Sequence, residues 1–264
     1  MPTTLDQILA ATRETLPVLH ARREEIEREA AGARPRPRFL ADWDRRSVAL
    51  IAEVKRRSPS QGTISAQLDP VAHAVAYAAA GATAISVLTD GRFFGGSLAD
   101  LSAVAEAVNL PLLRKDFILD ELQVAEARAA GASAVLLIVR ALSPKRLDEL
   151  ANAARDWDLA TLVEIHDARE LDVALAMDAP AIGVNSRNLD TFEIDVPAAW
   201  SLIERIPGDR MVIAESGMAT VADVERAAMA GADGVLIGTA LSGASDPSGS
   251  VRTLASVPRR GRSR

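Results

Sequence analysis

Apolar residues along the chain come in eight short runs that are continuous rather than alternating with polar residues. The runs cover residues 48–55, 84–89, 111–115, 134–139, 160–165, 181–185, 211–215 and 234–238. Continuous apolar runs of this length are typical of parallel strands that are covered on both faces. The pattern therefore predicts eight buried strands.

Helical patterns follow most of these strands. The clearest helices are predicted over residues 69–80, 121–130, 167–177 and 220–230. Several helices open at a residue whose side chain can accept hydrogen bonds from the first turn. These residues are Asp69, Ser143, Asp167 and Thr220.

A weak internal repeat supports the alternation of strand and helix. The repeated segments are AAAGATAISVL (78–88), RAAGASAVLLI (128–138) and AMAGADGVLIG (228–238). Their glycines, Gly81, Gly131 and Gly231, suit the position just past the end of a helix. The glycines lie 50 and 100 residues apart, which fits stacked strand–helix units of about 25 residues.

Eight such units predict a (β/α)8 TIM barrel with an N-terminal helical extension. The competing fold is a doubly wound open sheet, but its first turn reads G-x-G-x-x-G and the first turn here reads RRSPSQG. We expect a helical extension over 1–45, interrupted near Pro17, and a catalytic barrel over 46–245. Residues 246–264 are predicted to form a final helix and a disordered basic tail.

Composition narrows the class of protein. The chain has 264 residues, of which 48% are apolar and 25% charged, as in a soluble globular protein. The net charge of −6 disfavours nucleic-acid binding, and the absence of cysteine excludes disulfides and thiolate chemistry. With no signal peptide and no apolar run of about 20 residues, we expect a soluble cytoplasmic protein that does not bind a membrane. We also expect no nucleic-acid partner, and a monomer rather than an oligomer.

The choice of basic residues is biased. Of 30 lysines and arginines, three are lysines: Lys55, Lys115 and Lys145. A guanidinium group does not give up its proton in proteins, whereas an ammonium group can when its neighbours tune its pKa. A lysine that persists in such a chain is therefore a candidate for proton transfer.

Polar residues collect at the carboxyl ends of the predicted strands, where barrel enzymes place their chemistry. They are Glu53, Lys55, Lys115, Glu164, Asn185 and Glu215. Because residues two apart in a strand share a face, Glu53 and Lys55 should point with Ile51 into the barrel. Such a ring of charges is either a set of paired structural ions or a working site, and its recurrence on five strands favours a site.

The last two strands end in small residues. Ser216 and Gly217 in AESGM, and Gly238 and Thr239 in LIGTAL, each precede a helix. Backbone N–H groups at helix N-termini bind phosphate, and these two loops are the usual phosphate site of the barrel fold. We therefore expect a phosphorylated small-molecule ligand.

Several other residues lie near the predicted mouth. Phe93, Phe94 and Phe117 follow the second and third strands, and they either form an apolar wall for a ring-bearing substrate or pack within loops. His166 follows Glu164 by two residues and either faces the site or packs elsewhere. No group of His, Asp and Glu has metal-ligand spacing, so we expect no metal.

Seven motifs covering residues 48–241 closely resemble those of the indole-3-glycerol-phosphate synthase family. In chain order they are IAEVKRRSPSQG, SVLTDGRFFGGS, LRKDF, LVEIHD, IGVNSRNL, IAESG and VLIGTAL. The resemblance implies a decarboxylating lyase of tryptophan biosynthesis that needs no cofactor or metal. Its expected substrate is 1-(2-carboxyphenylamino)-1-deoxyribulose 5-phosphate, which closes to indole-3-glycerol phosphate with loss of carbon dioxide and water.

The resemblance also implies catalytic roles. Lys115 is similar to the general acid that protonates the ketone during ring closure. Glu164 resembles the base or charge stabiliser of the ring-closed intermediate. Glu53 and Lys55 resemble the pair that assists dehydration and holds the substrate.

Further positions match the family's substrate site. Asn185 and Glu215 match residues that orient the lysines and the developing hydroxyl. The expected substrate contacts are Ser58, Phe94, Phe117, Arg187, Ser216, Gly217, Gly238 and Thr239.

Two rival functions share the predicted fold. A Schiff-base aldolase would use Lys55 or Lys115 as a nucleophilic amine, and a non-catalytic barrel would only bind a sugar phosphate. Phosphoribosylanthranilate isomerase is expected to need a cysteine–aspartate pair, which this chain lacks.

Overall fold

Eight parallel strands close into a barrel in the computed structural model, which describes residues 4–39, 41 and 45–261. The barrel strands are β1 (Ala49–Val54), β4 (Ala84–Leu88), β5 (Leu112–Lys115), β6 (Ala134–Ile138), β7 (Ala160–Ile165), β8 (Ala181–Asn185), β9 (Met211–Glu215) and β10 (Gly234–Ile237). They follow one another around the barrel in chain order, and β10 pairs with β1. The predicted (β/α)8 fold is confirmed.

Helices precede the first strand, connect the barrel strands and follow the last strand. Within the described ranges they are α1 (Leu5–His20), α2 (Arg23–Gly32), α3 (Pro70–Ala79), α4 (Gly91–Phe94), α5 (Leu98–Ala107), α6 (Glu121–Ala129), α7 (Pro144–Asp156), α8 (Ala168–Ala176), α9 (Val196–Ile203), α10 (Val221–Ala230), α11 (Thr239–Ser242) and α12 (Pro247–Ala255). A short antiparallel hairpin, β2 (Arg57–Ser58) and β3 (Gly62–Thr63), follows β1. No described helix is long and apolar enough to cross a membrane.

Alternate residues of the strands face two separate cores. Ile51, Leu113 and Leu162 are fully buried in a cluster that fills the barrel interior. Val54 and Val163 belong instead to the cluster beneath the outer helices. The inward set shares its face with Glu53, Lys115 and Glu164, because successive strand side chains point to opposite sides.

The helix ends match the predicted signals. All four predicted caps accept hydrogen bonds from the backbone N–H groups of the following turn. Gly81, Gly131 and Gly231 have φ angles of +100°, +84° and +103°, which side-chain-bearing residues rarely adopt. The repeated glycine is thus explained by the backbone conformation of each helix-to-strand joint.

The prediction that the N-terminal helix breaks near Pro17 is wrong. Helix α1 runs through Pro17 to His20, and Ala21 then donates its N–H to the carbonyl of Pro17 at 3.1 Å. Pro17 is exposed, so its missing hydrogen bond is lost on the solvent side, and the apolar face of the helix stays packed. Leu5 and Ile8 on that face are buried against the barrel's inner cluster.

The basic C-terminal stretch, expected to be disordered, is described as far as residue 261. Pro258 forms a β-bridge with Ser47, and the Arg259 guanidinium pairs with Asp233. Residues 262–264 of the predicted tail lie outside the described residues. The division of the chain at residues 45 and 245 stays a prediction, which limited proteolysis would test.

Candidate active site

All fourteen residues predicted for the site line one cavity at the carboxyl end of the barrel. The cavity has a volume of about 400 Å³, large enough for a substrate with one ring and one sugar. Its wall also includes Leu88, Leu136, Ile138 and Leu236. Charged strand ends and apolar side chains therefore meet in one enclosed space.

Lys115 is the centre of the charged cluster. Its ammonium Nζ lies 3.0 Å from Oε2 of Glu164 and 3.3 Å from Oε2 of Glu215. The two glutamates are 1% and 2% exposed, and they reach Lys115 from β7 and β9. One ammonium group thus contacts two buried glutamate side chains.

The environment separates the pKa values of these two carboxyl groups. Burial raises the pKa of Glu164, but the Lys115 ammonium and the His166 ring outweigh burial and lower it well below its ordinary value. Burial raises the pKa of Glu215 to about 8, because Lys115 offsets burial only in part and Glu164 repels a second negative charge. At neutral pH Glu164 is therefore a carboxylate and Glu215 a neutral acid, a division typical of acid–base sites.

The same carboxylates act on Lys115. Burial alone lowers the pKa of an ammonium group, yet the charges of Glu164, Glu215 and Glu53 raise the pKa of Lys115 above its ordinary value. The sequence argument expected a lysine tuned to release its proton near neutral pH. The structure shows the opposite: the pKa of Lys115 is raised, because the neighbouring glutamates stabilise its ammonium form.

A second ion pair lies on β1. Oε1 of Glu53 is 2.9 Å from Nζ of Lys55, and Glu53 is 4% exposed. Ser242 in α11 donates its hydroxyl to the carbonyl of Glu53 and accepts the N–H of Lys55. Sequence reasoning missed Ser242, which ties the end of β1 to the last residue of α11.

Two glycines make room for the charged groups. A Cβ atom at Gly183 would overlap Oε1 of Glu215, and one at Gly238 would overlap Oε1 of Glu53. Gly183 was not predicted, since it lies inside an ordinary apolar strand. Gly238 was predicted for phosphate, but its lack of a side chain also accommodates the Glu53–Lys55 pair.

The predicted phosphate loops lie side by side on the cavity wall. Ser216 and Gly217 have φ angles of +65° and +70°, and Ser216 therefore holds a conformation that is strained for a residue with a side chain. Thr239 opens α11, where no described side chain provides a cap. All four residues line the cavity, so their backbone N–H groups are candidates for the expected phosphate contact.

The N-terminus of α10, which follows residues 216–217, does not offer the free backbone N–H groups that a phosphate site would use. Asp223 accepts the N–H groups of Ala219 and Thr220, and Thr220 caps α10. The N-terminus of α10 is thus closed by its own side chains. The expected anion site is consequently limited to residues 216–217 and the start of α11.

Arg187 lies on the same wall after β8. Burial lowers the pKa of its guanidinium, and Nη1 donates to the carbonyl of Phe192 at 3.1 Å. No described carboxylate lies within ion-pair distance of Arg187, so its charge is available to a substrate anion. Asn185 accepts the N–H of Arg187 through Oδ1 at 3.0 Å and holds the turn in place.

The aromatic residues form the opposite wall. The rings of Phe94 and Phe117 lie 6.2 Å apart and are tilted by 38°, within the range of favourable aromatic contacts. Phe93 does not line the cavity, and Arg92 lies over its ring instead. Ser58 in β2 is buried and completes the rim.

Comparison with known proteins places the chain in a family. The family model for indole-3-glycerol phosphate synthase matches residues 5–254. The chain belongs to the indole-3-glycerol phosphate synthase family. The resemblance read from the seven motifs is confirmed over nearly the whole chain.

Individual relatives agree with this family assignment. The chain is 50% identical over 223 residues to indole-3-glycerol phosphate synthase of a Nocardioides species, with 84% of each chain covered. It is 46% identical over 264 residues to the enzyme of the same name from Kineococcus radiotolerans, covering 96% of this chain and 94% of that one. A thiamine phosphate pyrophosphorylase from Pyrococcus furiosus shares the fold alone, with a TM-score of 0.58, 17% identity, and coverage of 80% of this chain and 95% of that one.

Proposed function

We propose that this chain performs the reaction of its family, the closure of 1-(2-carboxyphenylamino)-1-deoxyribulose 5-phosphate to indole-3-glycerol phosphate, with the charged cluster at the barrel mouth. The observation that carries the proposal is the Lys115 ammonium between Glu164 and Glu215, in a cavity with an apolar wall on one side and phosphate loops on the other. The substrate has a ring, a ketone and a phosphate to match these three features.

Ring closure is the first step. The carboxyl-bearing ring carbon attacks the ketone carbon, a carbon–carbon bond forms, and Lys115 gives its proton to the ketone oxygen. An alkoxide is a stronger base than an amine, so the raised pKa of Lys115 does not prevent this transfer. The ring-closed intermediate is positively charged at nitrogen, and the ionised Glu164 stabilises that charge.

Loss of carbon dioxide and water completes the reaction. The bond to the carboxylate breaks, and its electron pair restores the aromatic ring. The new hydroxyl then leaves as water with a proton from Lys55, which Glu53 holds in place. The adjacent carbon gives its proton to the Glu164 carboxylate, which yields the indole, and exchange with solvent restores the starting protonation of the three side chains. Glu215 and Asn185 orient the hydroxyl and the lysines.

The phosphate and the aromatic ring of the substrate need separate partners. The phosphate is held by the backbone of Ser216, Gly217, Gly238 and Thr239, with Arg187 as the cation available to a substrate anion. Phe94 and Phe117 contact the aromatic ring, and Ser58 closes over the substrate. Inorganic phosphate should therefore inhibit competitively.

The charge state of the lysines disfavours the Schiff-base alternative. A nucleophilic lysine must be neutral, whereas the Glu164 carboxylate stabilises the ammonium form of Lys115 and helps to raise its pKa. Treatment with borohydride in the presence of substrate distinguishes the Schiff-base mechanism from the proposed acid–base mechanism. A covalent adduct seen by mass spectrometry supports an aldolase and contradicts our proposal.

The direct test is an assay of the purified chain with the substrate. Indole-3-glycerol phosphate is fluorescent, so its appearance gives the rate, and release of one carbon dioxide per product gives the stoichiometry. Turnover with this stoichiometry supports the proposal. Substrate binding without turnover by the wild-type chain would favour a non-catalytic barrel.

We further propose that the enzyme acts as a monomer in the cytoplasm, without nucleic acid. The large hydrophobic side chains exposed within the described ranges are scattered over separate elements: Val18, Val75, Ile194 and Met229. The net charge of −6 opposes binding to a polyanion. Light scattering after size-exclusion chromatography should give the mass of one chain.

A further inference from the structure

His166 lies directly behind the charged cluster and has no role in the proposed reaction. It follows β7, its side chain is 4% exposed, and it does not line the cavity. Its ring atom Nε2 lies 3.3 Å from Oε1 of Glu164. The other oxygen of the same carboxylate, Oε2, is the one that Lys115 contacts. Glu164 therefore lies between two cationic side chains.

A second carboxylate fixes the far side of the ring. Oε2 of Glu170 accepts both the backbone N–H of His166 at 2.8 Å and ring atom Nδ1 at 3.0 Å. Oε1 of Glu170 accepts Nε of Arg140 at 2.7 Å. From Lys115 to Arg140 the five side chains alternate in charge, and this order holds the ring in one orientation.

The ring is a cation in this setting. Burial by itself lowers the pKa of His166, but Glu164 and Glu170 on either side raise it to about 9. Nε2 is nevertheless buried without a hydrogen-bond partner in the described structure, since the carboxylate of Glu164 is turned towards Lys115. The contact between His166 and Oε1 of Glu164 at 3.3 Å is therefore an ion pair without a well-directed hydrogen bond.

The proposed reaction changes the charge next to Glu164. When Lys115 gives its proton to the ketone, Glu164 loses its charged partner inside a buried site. A carboxylate left alone there would take up a proton, because burial favours the neutral acid. The carboxylate could then no longer stabilise the positive intermediate.

We propose that His166 is a positioning residue for Glu164: held by Glu170, it keeps a positive charge beside Oε1 and maintains the ionised carboxylate after Lys115 has given up its proton. The inference rests on the proposed function, because it assigns His166 to the same ring-closure step. It adds a residue outside the cavity to the six catalytic positions.

Other charges around His166 are few. Glu164 faces the ring from β7, and Glu170 faces it from α8. Arg140 acts through Glu170, and Asp167 and Asp190 lie 3.6 and 3.7 Å from Arg140 with mostly exposed side chains. These two aspartates are screened by solvent, so they affect His166 less than the two glutamates do.

Kinetics of His166→Asn against pH test the proposal. We expect kcat to fall about tenfold and KM to change less than about twofold. This loss is smaller than the 10²–10⁴-fold typical of a lost general acid or base, because His166 acts only through Glu164. The acidic limb of the rate profile should move up by about one pH unit, because Glu164 loses a cation that lowers its pKa. Glu170→Gln should move the limb in the same direction by a smaller amount.

His20→Asn is the matched control, because His20 is exposed on α1 and does not line the cavity. Its profile should coincide with that of the wild type. A His166→Asn profile with an unchanged acidic limb overturns the proposal. So does a loss of thermal stability alone, since a merely structural role lowers stability without moving the limb.

A substrate-free measurement separates this proposal from the proposed function. The chain has three histidines, so NMR resolves their ring signals, and His166→Asn identifies the one of interest. Glu164→Gln and Glu170→Gln should each lower the titration midpoint of that signal by about one pH unit. A midpoint unaffected by Glu164→Gln overturns the positioning role even if the wild type is active, and an inactive wild type with the expected shifts overturns only the proposed function.

Discussion

Lys55 and Lys115 lie in the same cavity, and each contacts a buried glutamate, but their surroundings are built differently. The partner of Lys55 is Glu53, two residues earlier in the chain and near the end of β1. The partners of Lys115 are Glu164 and Glu215, which arrive from two other strands some 50 and 100 positions later in the chain. The first pair is local, and the second cluster exists only once the barrel has closed.

This difference in origin is also a difference in chemistry. Lys115 has two carboxylates whose pKa values are pushed apart, so the cluster contains a fixed anion and a neutral acid. Lys55 has one carboxylate partner, Glu53 near the end of β1, and its backbone N–H is bound by Ser242 at the end of α11. A site with both arrangements can separate proton donation during ring closure from the assistance of dehydration.

Replacing Lys115 by arginine should give the largest effect. Arginine keeps the charge but does not deprotonate, so kcat should fall by about 10²–10⁴-fold, the range typical of a lost general acid. Product fluorescence measures the rate, and circular dichroism checks that the fold is kept. Lys145→Arg is the matched control, because that side chain is 88% exposed and pairs with Glu149. Turnover near the wild-type rate in Lys115→Arg would contradict the acid assignment.

Lys55→Arg should have a smaller effect. The guanidinium still pairs with Glu53 and still attracts the substrate, so only proton donation during dehydration is lost, and we expect kcat to fall about tenfold. Single-turnover experiments should show accumulation of a decarboxylated, hydroxylated intermediate. A greater loss than in Lys115→Arg would reverse the division of roles between the two lysines.

Two glycine substitutions perturb the two regions without removing a charge. Gly238→Ala pushes on Oε1 of Glu53, which is 4% exposed, and crowds Nζ of Lys55, so we expect a rise of a few-fold in KM together with a loss of stability. Gly183→Ala pushes on Glu215, which is buried and cannot shift, and should lower stability by about 1–3 kcal/mol, as overpacking does. Denaturant titration and steady-state kinetics distinguish the two. Equal stability losses would mean that the two regions are equally rigid.

Glu215→Gln should give the smallest change, an increase in thermal stability that grows with pH. The folded protein holds Glu215 protonated up to a pKa of about 8, while the unfolded chain ionises it above its ordinary value of 4.5. The wild type is therefore stabilised at low pH and loses that stability as pH rises between these two values. Glutamine removes the loss, so melting temperatures should diverge by a few degrees towards pH 8.

The control for that experiment is Glu225→Gln, on the exposed side of α10, which also removes one carboxyl group. Parallel melting curves of wild type and Glu215→Gln at all pH values would contradict the assignment of a neutral acid. The same result would remove the main chemical difference between the two lysine sites.

The sequence alone determined the barrel and predicted fourteen residues that line its cavity. Continuous apolar runs, helix caps and repeated glycines depend on interactions within a few residues, so the strand and helix positions followed from local patterns. All fourteen predicted site residues line the cavity because a parallel barrel brings every strand's carboxyl end to one face. The prediction failed at Pro17, where packing of the apolar face of α1 outweighed a local helix-breaking signal.

Only the tertiary structure decided how the charges are partnered. The charges that raise the pKa of Lys115 come from strands that are far apart in the chain. The burial that raises the pKa of Glu215 likewise exists only in the closed barrel. The same is true of the space that Gly183 leaves for Glu215. Electrostatic energy and steric fit depend on separations of a few ångströms in three dimensions, and spacing along the chain does not contain them.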